Sequence, residues 1–230
     1  RVLFRSLFVE QYNDARKESG HAGIPKEIFP RYPCHVIPSN LGVEFGLKGP
    51  SLMIPTACAA GNYAIGYAFD LLRTGRVDLM LAGGADAFSR ITYMGFARLG
   101  AIAPERCQPF DKNRKGMVPG EGAALLILEP LEAALERGAE IYAEILGYGI
   151  SCDSHHMTAA HPEGDGAMRA MEGAIGESGI NLEDVDYVSA HGTGTPTNDR
   201  VESLAARRLF GDRADQVPMS SIKSMIGHTM

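Results

Sequence analysis

The stretch Gly49-Pro50-Ser51-Leu52-Met53-Ile54-Pro55-Thr56-Ala57-Cys58-Ala59-Ala60-Gly61 constrains this chain more than any other. It reads as strand, tight turn and helix, with Cys58 at the turn. Ser51 to Ile54 is a short apolar run closed by Pro50 and Pro55, which predicts a buried strand. From Ala59 to Thr74 apolar side chains occupy all faces until Asp70 and Arg73, which predicts a buried helix capped by Gly75. A cysteine on the first turn of such a helix sits beside unbonded backbone N–H groups and the positive end of the helix dipole, which favours the thiolate. Position alone leaves two readings open: an activated nucleophile, or a small buried apolar residue.

The remaining elements follow from periodicity and punctuation. Phe4, Leu7, Phe8, Tyr12 and Ala15 have helical spacing over Phe4 to Glu18, and Gly20 ends that helix. Residues 20–48, with Pro25, Pro30, Pro33 and Pro38, read as a connection holding about one helical turn near Ser39-Asn40-Leu41. Val77 to Gly84 reads as a strand. Its Gly83-Gly84-Ala85-Asp86 lacks the lysine and spacing of a phosphate loop, so close backbone packing is the expectation. Residues 95–120 carry turn chemistry around Pro109-Phe110-Asp111 and Pro119-Gly120-Glu121-Gly122. Ala123 to Leu128 then reads as a buried strand, Leu131 to Arg137 as a helix opened by Pro130, and Ile141 to Gly149 as a strand. After a polar loop come a helix from Ala167 to Ser178, a strand from Val185 to Ala190, a helix from Asp199 to Phe210 and a strand from Val217 to Ile222.

Alternating strands and helices with short loops predict α/β layers around a mostly parallel sheet. Cys58, His191 and His228 each fall near the end of a predicted strand, where open α/β sheets collect ligands. A thiol nucleophile needs partners that manage protons, and histidines in glycine-flanked loops suit that work. Thr193 and Thr195 add hydroxyls for an amide-bearing arm. A satisfied loop histidine remains the alternative for either imidazole alone. Cys152, His155, His156 and His161 match no standard zinc spacing and have no second ligand pair nearby, so no metal is expected.

Composition excludes several classes. The chain has 230 residues, 45% of them apolar, enough for a sizeable core. A net charge of −6 without a basic cluster or basic-aromatic stripe argues against nucleic acid and a membrane surface. Four scattered cysteines (Cys34, Cys58, Cys107, Cys152) without a C-x-x-C point to a reducing, cytoplasmic setting. No uncharged apolar run approaches the ~18 residues of a membrane span, and no signal peptide is legible.

Seven motifs then occur in order: Thr56-Ala57-Cys58-Ala59-Ala60-Gly61; Gly83-Gly84-Ala85-Asp86; Pro109-Phe110-Asp111; Gly120-Glu121-Gly122-Ala123; His191-Gly192-Thr193-Gly194-Thr195; Asn198-Asp199 with Glu202; and Lys223-Ser224 with Gly227-His228. As an ordered set, spanning roughly residues 40 to 230, they resemble the β-ketoacyl-acyl-carrier-protein synthases, the elongating condensing enzymes of fatty-acid and polyketide synthesis.

The resemblance implies the thiolase-like fold, two related α/β halves layered α-β-α-β-α, usually in a homodimer. The halves are expected at residues 1–140, with the nucleophile, and 141–230, with both histidines. By motif, Cys58 is the acyl-accepting nucleophile, and His191 and His228 serve decarboxylation and condensation. Lys223 matches the lysine near the second histidine, Asp199 and Glu202 support the network, and His156 lines the pocket. The implied partner is acyl carrier protein, acyl- and malonyl-loaded, and no cofactor is implied. The family's chain-starting branch has asparagine at the second histidine position, so His228 favours elongation.

Arg1 is not a start methionine and Met230 follows no terminal cap, so the sequence is expected to be incomplete at both ends. It lacks the family's glycine-rich gating loop, and these residues alone are expected to be inactive. Two further readings are a ketosynthase domain of a polyketide synthase and a non-catalytic chain-length-type partner. Pro55 and Ala59-Ala60-Gly61 look more like the stand-alone fatty-acid type, and Cys58 speaks against the non-catalytic partner. A thiolase shares the fold, but His191-Gly192-Thr193-Gly194-Thr195 speaks for the synthases.

Overall fold

Glycine and proline set most element boundaries in the computed structural model, which describes residues 2–27 and 33–230. Pro30 of the connecting segment lies outside the described residues, as do the side chains of Phe4, Leu7 and Phe8. The described residues form two compact units: one of residues 1–98, 120–141 and 229–230, the other of residues 99–119 and 142–228.

The first unit begins with α1 (Val2–Ser19), which stops at Gly20 with φ 67°. The expected single turn near Ser39 is instead a nine-residue helix, α2 (Val36–Glu44). Pro38 is its third residue, inside the first turn, where a missing N–H breaks no helical hydrogen bond. Then come α3 (Ala60–Arg73), β1 (Met80–Asp86), α4 (Arg90–Arg98), β2 (Gly122–Leu128) and α5 (Leu131–Glu136). The end of α3 is a Schellman cap: Arg76 N–H reaches Leu71 O at 2.9 Å and Gly75 N–H reaches Leu72 O at 2.9 Å. Helix α3 packs on β1 and buries Ala60, Gly66, Ala68 and Leu71, while Tyr67 is exposed.

Helix α4 was not expected, because its start signal comes from 80 residues away. Ser89 sits at its N-terminus, and the Glu10 carboxylate accepts from Ser89 Oγ (2.7 Å), Ile91 N (3.1 Å) and Arg90 Nε (2.9 Å). A side chain of α1 thus caps α4. Burial pushes the Glu10 carboxyl up, but these donors together outweigh it and hold it below the usual carboxylate value.

Strands β1 and β2 pair antiparallel from Met80↔Leu128 to Asp86↔Gly122. Two expectations fail here. Residues 51–56 have no regular secondary structure, and Leu52 is exposed, because an apolar run makes a strand only where a ladder partner lies alongside. The continuously apolar β2 reads as covered on both faces, yet Leu125, Leu126 and Ile127 are exposed.

The second unit holds α6 (Asp165–Ser178), β3 (Val188–Ser189), α7 (Pro196–Phe210), β4 (Met219–Ser220) and α8 (Lys223–Ile226). Helix α7 starts at Pro196, places Asp199 in its first turn and Arg207 and Arg208 in its last, and so matches its dipole at both ends. It buries Val201, Ala205 and Phe210, and it packs against α6. Strands β3 and β4 pair in parallel over only two residues, so the expected mostly parallel sheet is not what the described residues form.

The expected strand over Ile141 to Gly149 is absent as well. Those residues run against α6 without a ladder: Tyr148 N–H donates to Glu177 Oε2 at 2.9 Å. A Cβ on Gly149 would strike the Ala170 carbonyl, and one on Gly147 would lie 2.7 Å from Ser178 N, so the glycines serve close approach to a helix. Among the described residues, no helix is long and apolar enough to cross a membrane.

Gly83 bears out the expectation of close backbone packing, since its Cβ would run into the Ala124 carbonyl across the β1–β2 pair. Gly83→Ala should therefore lower stability by about 1–3 kcal/mol. Gly95→Ala, inside α4 with open space around it, should raise stability by up to about 1 kcal/mol. Urea-denaturation midpoints of the two variants should move in opposite directions.

Candidate active site

In the first unit, Cys58 is the centre of a 3₁₀ turn, Ala57–Ala59, that runs directly into α3. Ala57 adopts φ 49°, a left-handed conformation that costs a residue with a Cβ about 1 kcal/mol or more. The sharp turn leaves the Cys58 side chain exposed at the N-terminal end of a fourteen-residue helix.

In the second unit the parallel pair β3–β4 delivers the histidine loop. Ala190 N–H bonds Ser220 O at 2.8 Å, and His191 is the next residue. The loop is then held by two carboxylates from α7. Glu202 accepts from the backbone N–H of His191 (2.6 Å) and of Gly192 (2.8 Å). Asp199, 1% exposed, accepts from Gly194 N (3.1 Å) and Phe110 N (2.7 Å). Charge-assisted bonds of this kind are roughly twice as strong as neutral ones. Gly192 has φ 39°, and a Cβ there would collide with Ser221 and lie 2.9 Å from Phe110 Cε2. The Gly in that position is therefore a steric requirement.

His228 arrives from the other side of the same unit. Helix α8 ends at Gly227, with φ 70°, and His228 N–H donates to Val118 O at 2.7 Å. Its side chain is buried, and its ring meets the His191 ring edge to face, with centroids 5.4 Å apart and an interplanar angle of 84°. Lys223, at the start of α8, donates from Nζ to the His191 carbonyl at 2.6 Å. The two imidazoles, the lysine and both α7 carboxylates thus gather around one loop. Loss of hydration around the ring, reinforced by the Lys223 charge, holds the His191 pKa below the ordinary 6.5. A neutral imidazole can donate from one ring nitrogen, and two such donors side by side suit a developing oxyanion.

The other candidates take separate places. The Thr193 hydroxyl is bonded to that of Thr195 at 2.8 Å, and Thr193 is buried. His156 lies in a shallow groove of about 650 Å³ lined by residues 152–160, where its Nδ1 accepts from Thr158 N (3.1 Å) and Ala159 N (3.2 Å). Cys152 in that groove accepts from Ser154 Oγ at 3.6 Å, which holds its thiol below the usual value.

Residues 95–120, which read as turn chemistry with the Pro109-Phe110-Asp111 motif, build the floor of the histidine loop. Phe110, at φ 64°, offers its N–H to Asp199, and Gly116 N–H donates to Gly194 O at 2.9 Å. Cys107 Sγ donates to Thr193 O at 3.4 Å, and burial pushes that thiol up. Arg114 completes the floor. The one signal available was Pro109-Phe110-Asp111, whose partner in α7 is some 90 residues away.

Two expectations follow from this geometry. Glu202→Gln leaves one of the two loop N–H groups without an acceptor and should cost about 1–3 kcal/mol, read from chemical denaturation at neutral pH. Because folding lowers the His191 pKa, the unfolded chain binds its proton first as pH falls. The stabilising contribution is present above pH 6.5 and declines as pH drops below it. Unfolding free energy measured on either side of that value should show this slope in the parent protein and a flatter one in His191→Asn.

Residues 6–134 match the N-terminal domain of the β-ketoacyl synthases, and residues 142–230 match their C-terminal domain. The chain is 40% identical, over 96% of its length, to 3-oxoacyl-[acyl-carrier-protein] synthase 2 of Staphylococcus aureus, and covers 57% of that protein. The solved ishigamide ketosynthase/chain length factor superposes with a TM-score of 0.93 at 40% identity, over 97% of this chain and 55% of that one. AntDE:AntF, a type II polyketide acyl-carrier protein in complex with its ketosynthase bound to the hexaketide, superposes with a TM-score of 0.94 at 32% identity, over 98% and 58%. The chain spans about half the length of the relatives it matches. On these matches and this α/β architecture, the chain has the thiolase-like fold and belongs to the β-ketoacyl synthase family.

Proposed function

We propose that the protein catalyses the decarboxylative Claisen condensation that lengthens a fatty acyl chain, as a 3-oxoacyl-acyl-carrier-protein synthase. The observation that carries this reading is the edge-to-face pair of His191 and His228, held by Glu202 and Lys223 on the residues that match the family's motifs.

In this reading the Cys58 thiolate attacks the thioester carbonyl of an acyl carrier protein, and the carrier's thiol leaves as the acyl group moves to sulfur. Malonyl carrier protein follows, with Thr193, Thr195 and His156 on the side of its arm. His191 and His228 each donate an N–H to the thioester oxygen. The carbon–carbon bond to the carboxylate breaks, carbon dioxide departs, and the electron pair is held as an enolate. The enolate carbon attacks the acyl-Cys58 carbonyl, releasing the Cys58 thiolate and 3-ketoacyl carrier protein. The lowered pKa of His191 favours the uncharged ring, which acts by hydrogen bonding and leaves the proton count of the step unchanged. Residues 1–140 supply the nucleophile and 141–230 the histidines, and a cytoplasmic homodimer is the assembly that goes with this reading.

A ketosynthase of polyketide assembly is the second reading, favoured by the likeness to the ishigamide ketosynthase and to the AntDE:AntF ketosynthase. A non-catalytic chain-length partner is disfavoured by Cys58 itself.

Carbon dioxide release from malonyl carrier protein, measured on the product of the whole reading frame in which this sequence lies, tests the proposal. His191→Ala and His228→Ala should each slow release by about 10²–10³-fold, the usual effect of removing an oxyanion donor. Cys58→Ala should abolish 3-ketoacyl product. Release that is indifferent to both histidines would contradict the reading.

A further inference from the structure

Arg114 belongs to none of the motifs that carry the family resemblance, yet its guanidinium reaches the far end of the histidine loop. Its Nη2 donates to the Pro196 carbonyl at 2.9 Å, and its Nε lies 3.5 Å from both the Thr195 carbonyl and Asp199 Oδ2. Its Nη1 donates to the Asp111 carbonyl at 3.0 Å, tying the same fork to the turn it springs from. The Arg114 side chain is 19% exposed and its ion-pair partner Asp199 is 1% exposed, so this is a largely desolvated pair.

The arrangement brackets His191. Glu202 fixes residues 191 and 192 at one end of the loop, and Asp199 with Arg114 fixes residues 194 to 196 at the other. Lysine offers a point charge, whereas Arg114 uses three nitrogens in a planar fork on four oxygens. A neutral side chain there removes the cation from a buried carboxylate and frees the Thr195 and Pro196 carbonyls at once. The loop is the element best able to relax in response, and His191 rides on it.

We propose that Arg114 is a positioning residue for His191, needed for the decarboxylation half of the reaction and dispensable for acyl loading. The inference rests on the condensation reading above and deepens it by assigning a role outside the motifs.

The two half-reactions separate it from a structural role. On the whole-reading-frame protein, transfer of an acyl group from carrier protein to Cys58 is followed by peptide mass. Carbon dioxide release from malonyl carrier protein is followed in parallel. Arg114→Ala should load Cys58 at a rate near the parent's and lose about 10²-fold in decarboxylation, the scale of a misplaced catalytic group. Added guanidinium ion at millimolar concentration should restore part of that loss. Arg114→Lys, which keeps the charge and loses the fork, should show the same selective defect in smaller degree, and it answers the question if the alanine variant does not fold. Equal loss of both half-reactions, or none of either, in the folded variants would overturn the proposal. A parent protein that loads Cys58 but releases no carbon dioxide would overturn the condensation reading and this inference with it.

Discussion

Asp199 and Glu202 stand three residues apart on the first turns of α7, and their carboxylates grip four backbone N–H groups of the second unit: those of Phe110, His191, Gly192 and Gly194. This is the constraint on which the rest of that unit's site depends. Residues three apart face the same way on a helix, so one short stretch of α7 presents both acceptors to one loop. A loop made of His-Gly-Thr-Gly-Thr has little intrinsic stiffness, and its glycines take positive φ angles that an ordered partner must hold in place. Helix and loop are therefore a single device: the helix supplies rigidity and charge, and the loop supplies the imidazole.

Electrostatics gives the device its chemical character. Partial desolvation of the His191 ring and the Lys223 charge against its carbonyl both disfavour a proton on it. The Glu202 and Asp199 carboxylates push the other way, and their oxygens are engaged with backbone donors of the loop. An uncharged imidazole that donates a hydrogen bond is suited to receive negative charge on an oxygen rather than to transfer protons between distant groups. The nucleophile follows a different logic. At Cys58 a strained residue, Ala57, bends the chain so that sulfur is exposed where α3 begins. Strain of that kind is a feature of functional turns, and it is held by the fourteen-residue helix that follows.

Much of this was legible in the sequence because it is written in residues whose chemistry acts locally. Asp199 and Glu202 mark the first turns of α7, which starts three residues earlier than expected, at Pro196, and Gly75 and Gly179 end α3 and α6. The motif residues drew out Cys58, His191 and His228 for the same reason. What was illegible depended on partners far along the chain. Helix α4 is capped by Glu10, 80 residues earlier, and no window around Arg90 contains that information. Ser51 to Ile54 and Ile141 to Gly149 have the composition of strands. Composition cannot tell a strand from an extended segment laid against a helix, which is where Gly147 and Gly149 take the second of them. Leu125, Leu126 and Ile127 read as covered on both faces because the run is apolar at every position, yet neighbours on opposite faces of β2 are exposed among the described residues. Phe110 and Arg114 serve the histidine loop from a turn that reads, by itself, only as a turn.

The central claim is that Cys58 carries the growing chain and that an enolate held by two histidines collects it. The mass of the Cys58 peptide, followed in time in the protein from the whole reading frame, tests it most directly. A short acyl carrier protein should leave an acyl adduct on Cys58, and malonyl carrier protein should then discharge it as 3-ketoacyl product appears. A folded protein whose Cys58 never gains the adduct, or keeps it unchanged in the presence of malonyl carrier protein, would contradict the account.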